Sequence, residues 1–209
     1  MELRNSNPHK VKKNHQDLEF QVLDWQCYDV LPEDMNMEDY DEEEDPLQYV
    51  IQIFGIDLQN QSISVKVTDF KPRFYVNIPS NWSDIKINIF ISTLKDKVKR
   101  KFQNSIQSHK IVKRKKFRGF TNNEKFKFVR FNFNSLRSLR EYARLFQKKI
   151  SNPVLSKKPK KYEIYESNID PFLRFCHIKN LETSGWLTLP KKKYKVTKVP
   201  ETYSQNEFT

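Results

Sequence analysis

Two kinds of residue in this chain could do chemistry, and they lie apart. Residues 33–45, EDMNMEDYDEEED, hold nine acids and no base. The run contains D-x-D and D-x-E spellings, the pattern that can hold two metal ions for phosphoryl transfer. That chemistry needs a rigid strand or helix to fix the carboxylate spacing. Like charges repel here and nothing apolar offsets the cost of ordering them, so 32–46 reads as an acidic loop rather than a metal centre. The second kind is basic. KIVKRKKFRG supplies Lys110, Lys113, Arg114, Lys115, Lys116 and Arg118; further clusters fall at 157–161 and at Lys191, Lys192 and Lys193. Such groups contact phosphates without reading sequence. Solvated lysines beside turns are the plainer alternative for each cluster. Cys27 and Cys176 have no Cys or His at ligand spacing, and the four histidines are scattered, so no metal site is expected and the thiols suit a reducing compartment.

The whole chain of 209 residues carries +12. Without the nine acids of 33–45, its 38 bases would face only 17 acids. That balance favours a polyanionic partner, because each neutralised phosphate releases a condensed counterion. Hydrophobic content is a low 37%, yet 16 Phe, 9 Tyr and 3 Trp supply bulky core pieces, enough for an ordinary core at this length. With no apolar run of 18 residues and no secretory signal, the sequence reads as soluble and intracellular, with no membrane partner.

The elements that must position these groups follow from periodicity. Residues 1–16 read as a disordered basic tail and 196–209 as a C-terminal tail, around one domain at 17–195. Alternation predicts strands near 18–28, 48–55, 62–68 and 73–78. Ser83 or Asp84 caps a helix to about residue 102, with Ile87, Phe90, Ile91, Leu94 and Val98 on one face. Strands at 108–117 and 125–133 follow. In the second, Phe131 is out of phase with Phe126 and Phe128, so either a bulge near Val129-Arg130 intervenes or both faces are covered. Asn134 or Ser135 caps a second helix to about 150, with Leu136, Leu139, Ala143, Phe146 and Ile150 inward. A connector at 151–161 leads to an extended 162–166. A short helix after Ser167 or Asn168, with Asp170-Pro171 in its first turn, precedes a strand at 186–189. The fold class is α+β: mixed sheets, flanking strands and a β-α-β-β-α-β unit of ferredoxin type. Asn60 and Asp69 stand at turns and tolerate left-handed backbone.

Five segments, in order across about 20–194, resemble the opening of the family B (delta-type) DNA polymerases. They are Phe54-Gly55, VTDFKPRFYV at 67–76, FRGF at 117–120, YESNIDPFLRF at 165–175 and GWLTLP at 185–190. The resemblance implies the amino-terminal, noncatalytic domain of such an enzyme, which packs on the exonuclease and helps hold the template strand. Its implied partners are DNA and the exonuclease and polymerase domains, in the same or a separate chain. Magnesium would belong to those catalytic domains and no cofactor to this one. The expected place is a nucleus or a viral replication site. The D-x-E of the exonuclease and the D-x-D of the palm are not met before the sequence stops, so this chain alone is expected to be inert: a fragment, a split-gene subunit or a degraded copy. The candidate DNA-binding residues are Lys110, Lys113, Arg114, Lys115, Lys116, Arg118, Lys191, Lys192 and Lys193. Two other readings stay open. Arg118-Gly119-Phe120 begins like an RRM signature, which would make the unit an RNA-binding module. A noncatalytic scaffold remnant is the other.

Overall fold

The computed structural model describes residues 3–6, 17–32, 35, 44–116, 122–190 and 193–195. Strands β1 (Arg4–Ser6), β2 (Leu18–Val30), β3 (Gln48–Asp57), β4 (Ser62–Val67) and β9 (Gly185–Leu189) form an antiparallel sheet in the order β1-β9-β2-β3-β4. Strands β5 (Arg73–Ile78), β6 (Ile106–Lys115), β7 (Lys125–Phe133) and β8 (Ile164–Tyr165) form a second sheet in the order β6-β7-β5-β8. The helices are α1 (Asp84–Lys97), α2 (Leu136–Leu145) and α3 (Pro171–Lys179). Chain order β5-α1-β6-β7-α2-β8, with β5 and β7 central and every neighbour antiparallel, is the ferredoxin-like arrangement.

Each sheet has its own core. Alternation along β5 sends Phe74, Val76 and Ile78 toward α1 and α2, where they meet Val129, Phe131 and Phe133 of β7. Phe74 stacks on Phe133 at 5.0 Å between centroids, and Phe90 of α1 lies 4.9 Å from Tyr162. In the first sheet Phe20, Ile51, Ile53, Leu187 and Leu189 pack with Phe70 and with Phe175 of α3. The β2–β3 register shifts between Val22 and Asp24, and Leu23 at that irregularity is 61% exposed.

The helix caps explain the boundaries. Ser83 accepts the Lys86 N–H, and Ser135 forms a capping box with Ser138. Both helices stop earlier than their apolar stripes suggest, at Lys97 and Leu145. Val98 turns extended and a 3-10 turn over Arg100–Phe102 drops Phe102 into the core, where its carbonyl accepts the Tyr142 hydroxyl at 3.0 Å. For α3 the cap is Asp170 itself, which accepts the Phe172 N–H at 2.8 Å, rather than Ser167 or Asn168. Asn60 takes the left-handed turn expected of it, whereas Asp69 is not left-handed.

Two expectations need correcting. Within the supposed disordered tail, Arg4–Ser6 pair with Trp186–Thr188 and Leu3 is buried. An edge strand gains main-chain hydrogen bonds whatever its side chains, so polar composition alone did not forbid it. Residues 44–47 are loop as expected, but Asp45, for which nothing was expected to offset the cost of ordering, is buried. Its N–H donates to the Lys101 carbonyl at 2.9 Å, and its carboxylate accepts the Ser135 hydroxyl at 3.0 Å. The remainder of 1–16 and all of 196–209 lie outside the described residues, as does most of 33–45.

The two halves meet at the start of α2. Asp29 of β2 accepts the N–H groups of Leu136 and Arg137 at 2.8 and 2.9 Å, and the Tyr49 N–H donates to the Asn134 carbonyl at 2.8 Å. Leu136 packs against both cores.

Gly55 marks a close approach of β2 to β3. A Cβ there would collide with the Gln21 carbonyl oxygen and lie 2.6 Å from Phe20 Cδ2. Gly55→Ala is therefore expected to cost about 1–3 kcal/mol, read by denaturant unfolding, from overpacking against backbone that cannot yield. Asp45 gives a pH-dependent prediction. Burial raises its pKa above the ordinary 3.8, against the lowering effect of the Ser135 hydrogen bond. A raised acid penalises the folded state once ionised, so its contribution falls as pH rises above 3.8. Asp45→Asn keeps an acceptor for Ser135 and should raise Tm at pH 7, with the gain shrinking toward pH 4 in paired thermal melts.

Candidate nucleic-acid interface

The helices cover one face of the second sheet, and the other face carries the chemistry. Register fixes its membership. Tyr75 sits opposite Arg130 and Tyr165, Arg130 opposite Lys110, Phe128 opposite Val112 and Asn77, and Phe126 opposite Arg114. Arg73 lies on this face two residues before Tyr75, opposite Asn132. The phase problem in β7 resolves without a bulge at Val129-Arg130: pairing is continuous there, and both faces are covered. Phe131 and Phe133 enter the helix-side core. Phe126 and Phe128 lie on the outer face, Phe126 half-buried and Phe128 buried against Tyr165 at 5.4 Å.

The same alternation divides the candidate lysines. Lys110 and Arg114 belong to the outer face. Lys113 and Lys115 point the other way, opposite Lys127 and Lys125, and Lys115 Nζ donates to Asn123 at 3.0 Å in the hairpin turn. Lys116 lies over the Phe126 ring at 4.6 Å and pairs with Glu163 at 2.9 Å. Burial lowers the Lys116 pKa, but the hydrogen bond to Glu163 and the nearby Tyr165 outweigh it, so the net shift is upward. Lys116 is thus a cross-sheet tie as well as a surface charge. Lys193 is exposed just after β9 of the first sheet. Arg118, Lys191 and Lys192, with Gly119 and Phe120 of the RRM-like spelling, lie outside the described residues. Because β6 is an edge strand, part of its charge also deters pairing with another chain.

Sequence reasoning overlooked three arginines at one end of this face. Arg73 and Arg130 are diagonal neighbours on adjacent strands, and Arg174 of α3 is paired with Glu166. Burial depresses the Arg73 guanidinium below its ordinary value, and the charges of Arg174 and Arg130 lower it further, against opposing effects of Tyr75 and Glu166. The signal was present in Arg-Phe-Tyr-Val: once Phe74 and Val76 are core, Arg73 and Tyr75 must share the opposite face. Arg174 needed the tertiary structure. No cluster of three or more His, Cys, Asp or Glu side chains placed to hold a metal occurs among the described residues, nor among them does any helix long and apolar enough to cross a membrane.

The chain is 33% identical over 212 aligned residues to a DNA polymerase of Acanthamoeba polyphaga mimivirus, a match covering 97% of this chain and 11% of that protein. A DNA polymerase of Pyramimonas orientalis virus is 32% identical over 81% of this chain and 13% of its own length. By sequence, this chain is a relative of these viral DNA polymerases. The DNA polymerase delta catalytic subunit of Dictyostelium discoideum also matches, at 25% identity over 75% of this chain and 15% of that subunit. The chain therefore spans roughly a tenth to a seventh of the length of these relatives. No protein-family model matches it. Among solved structures, the family B DNA polymerase from the archaeon Pyrobaculum calidifontis gives a TM-score of 0.46 at 13% identity, covering 76% of this chain and 16% of that one; the assignment rests on the sequence relatives.

The two faces of β7 make different stability predictions. Phe131→Ala should cost about 3–5 kcal/mol, by removing a fully buried ring from the helix-side core. Phe126→Ala should cost under about 1.5 kcal/mol, because that ring is half-buried on the outer face, with Lys116 Nζ 4.6 Å from its centre. Urea unfolding of both variants measures the difference.

Proposed function

We propose that this chain is the noncatalytic amino-terminal domain of a DNA polymerase of family B, which binds template DNA through phosphate contacts and docks on the exonuclease and polymerase parts. Those parts would be in the same chain or a separate one, would carry the magnesium chemistry, and would work in a nucleus or at a viral replication site. The single observation that carries the reading is the match of 97% of this chain to 11% of a viral DNA polymerase. The outer sheet face supports it, since Lys110 and Arg114 project there beside half-buried Tyr75 and Phe126. Cations neutralise phosphates and aromatic faces accept any base, which together bind a strand without reading its sequence.

A second reading has one observation in its favour. The β6-β7-β5-β8 order with aromatic side chains on the helix-free face of β5 and β7 is also the plan of an RRM, whose central strands stack RNA bases.

Fluorescence anisotropy with single-stranded DNA and RNA of matched sequence separates the two. For roughly four phosphate contacts, DNA affinity should fall about fifty-fold between about 50 and 200 mM salt. Charge reversal at Lys110 and Arg114 together should weaken binding far more than reversal at Lys113 and Lys115, which face the other way. A flat salt profile, or equal effects of the two pairs, removes the phosphate-contact reading; a strong preference for RNA selects the RRM-like one.

A further inference from the structure

Arg73, Arg130 and Arg174 converge where the two sequence segments at 67–76 and 165–175 meet in space. The first contributes Arg73 and Tyr75, and the second contributes Tyr165, Glu166 and Arg174, while β7 adds Arg130. Arg174 is paired with Glu166, and Arg73 lies within reach of the charges of Arg174, Arg130 and Glu166. The Nε atoms of both Arg73 and Arg130 are buried without a hydrogen-bond partner, and so is Oε2 of Glu166, whose contact with Arg174 is an ion pair only. A buried guanidinium N–H ordinarily finds an acceptor, and leaving one unpaired costs stability. Like charges held together add to that cost. A structural ion-pair network explains the arrangement poorly, since among the described residues Glu166 is the one carboxylate shown beside the three arginines and neither buried Nε bonds to it.

We propose that Arg73, Arg130 and Arg174 form a seat for a backbone phosphate of single-stranded nucleic acid, with the Tyr75 ring beside it as a surface for an adjoining base. Phosphate suits the seat because its oxygens accept bidentate bonds from several planar guanidinium forks at once. A single strand suits it because Tyr75 and Tyr165, paired across β5 and β8, are half-buried rather than covered, and stacking on them needs an unpaired base. Lys110, opposite Arg130, and then Arg114 continue the line of positive charge along β6 away from the seat. The site is separate from the lysine run at 113–116, and it rests on the proposed function only for the identity of the polymer.

The test uses the full chain, with Arg130→Gln as the main variant and Arg130→Lys as a second that keeps the charge but loses the fork. Thermal melts are taken in chloride and in inorganic phosphate of equal ionic strength, and oligothymidylate affinity is measured by anisotropy. The seat requires that phosphate raise the wild-type Tm beyond chloride, and that both variants lose this increment. In chloride, Arg130→Gln should melt no lower than wild type, since it relieves like-charge crowding. Oligothymidylate affinity should fall roughly tenfold in Arg130→Gln, with the salt slope shallower by about one unit. A lower Tm in chloride with an unchanged phosphate response would show the arginines to be structural and overturn the proposal. A lost phosphate response with unchanged oligothymidylate affinity would overturn the polymer assignment and leave a site for free phosphate. If wild type binds no oligothymidylate yet keeps the phosphate increment, the DNA-binding reading of the domain fails while the anion seat stands.

Discussion

The structure depends on how the first turn of α2 is satisfied. A helix start presents N–H groups with no partner inside the helix and a partial positive charge. Here two of those donors are taken by Asp29, which belongs to β2 of the other sheet, and another by Ser135 in the capping box. Asp45 then closes on Ser135, and Leu136 sits in both cores. The cap is local in its chemistry and long-range in its effect, because the acceptor is 107 residues away. Among the described residues the Arg174–Glu166 pair is a further polar link, and the contacts at this helix terminus are the most concentrated one.

That placement matters for the basic face. Arg73 and Arg130 come from the second sheet, whereas Arg174 comes from α3, which packs with the first. Glu166 at the end of β8 links them through Arg174. Its left-handed backbone (φ 65°) turns the chain out of β8 toward α3. A shift between the sheets would carry Arg174 away from Arg73 and Arg130, which share one sheet.

Much of this was legible in the residues. Period-2 and period-3.6 patterns located most strands and both long helices, and chain order alone implied the ferredoxin-like unit. What stayed hidden has physical causes. Helix ends at Lys97 and Leu145 depend on where Phe102 and Ile150 can reach the core, a tertiary matter. The phase of Phe126, Phe128 and Phe131 was ambiguous because a strand covered on both faces loses the alternation that gives its register. The pairing of Arg4–Ser6 comes from backbone, which composition does not report. Asp45 looked like one acid among nine, and only its neighbours Ser135 and Lys101 distinguish it.

The basic cluster teaches a related lesson about counting charges. Five cations at 110–116 look like one patch in sequence, yet a strand sends alternate side chains to opposite faces, and one of the five is held by Glu163. Among the described residues, Lys110 and Arg114 are the members of the five that reach the aromatic face without an ion pair, and Arg114 donates to the Lys113 carbonyl. Meanwhile three arginines separated by as many as 101 positions in sequence come together at its end. Density along the chain therefore overstates the first group and misses the second. For a strand-borne surface, positive charge acts where register and a neighbouring helix concentrate it, and the side chains with unanswered hydrogen-bond donors, Arg73 and Arg130, lie there rather than in the lysine run.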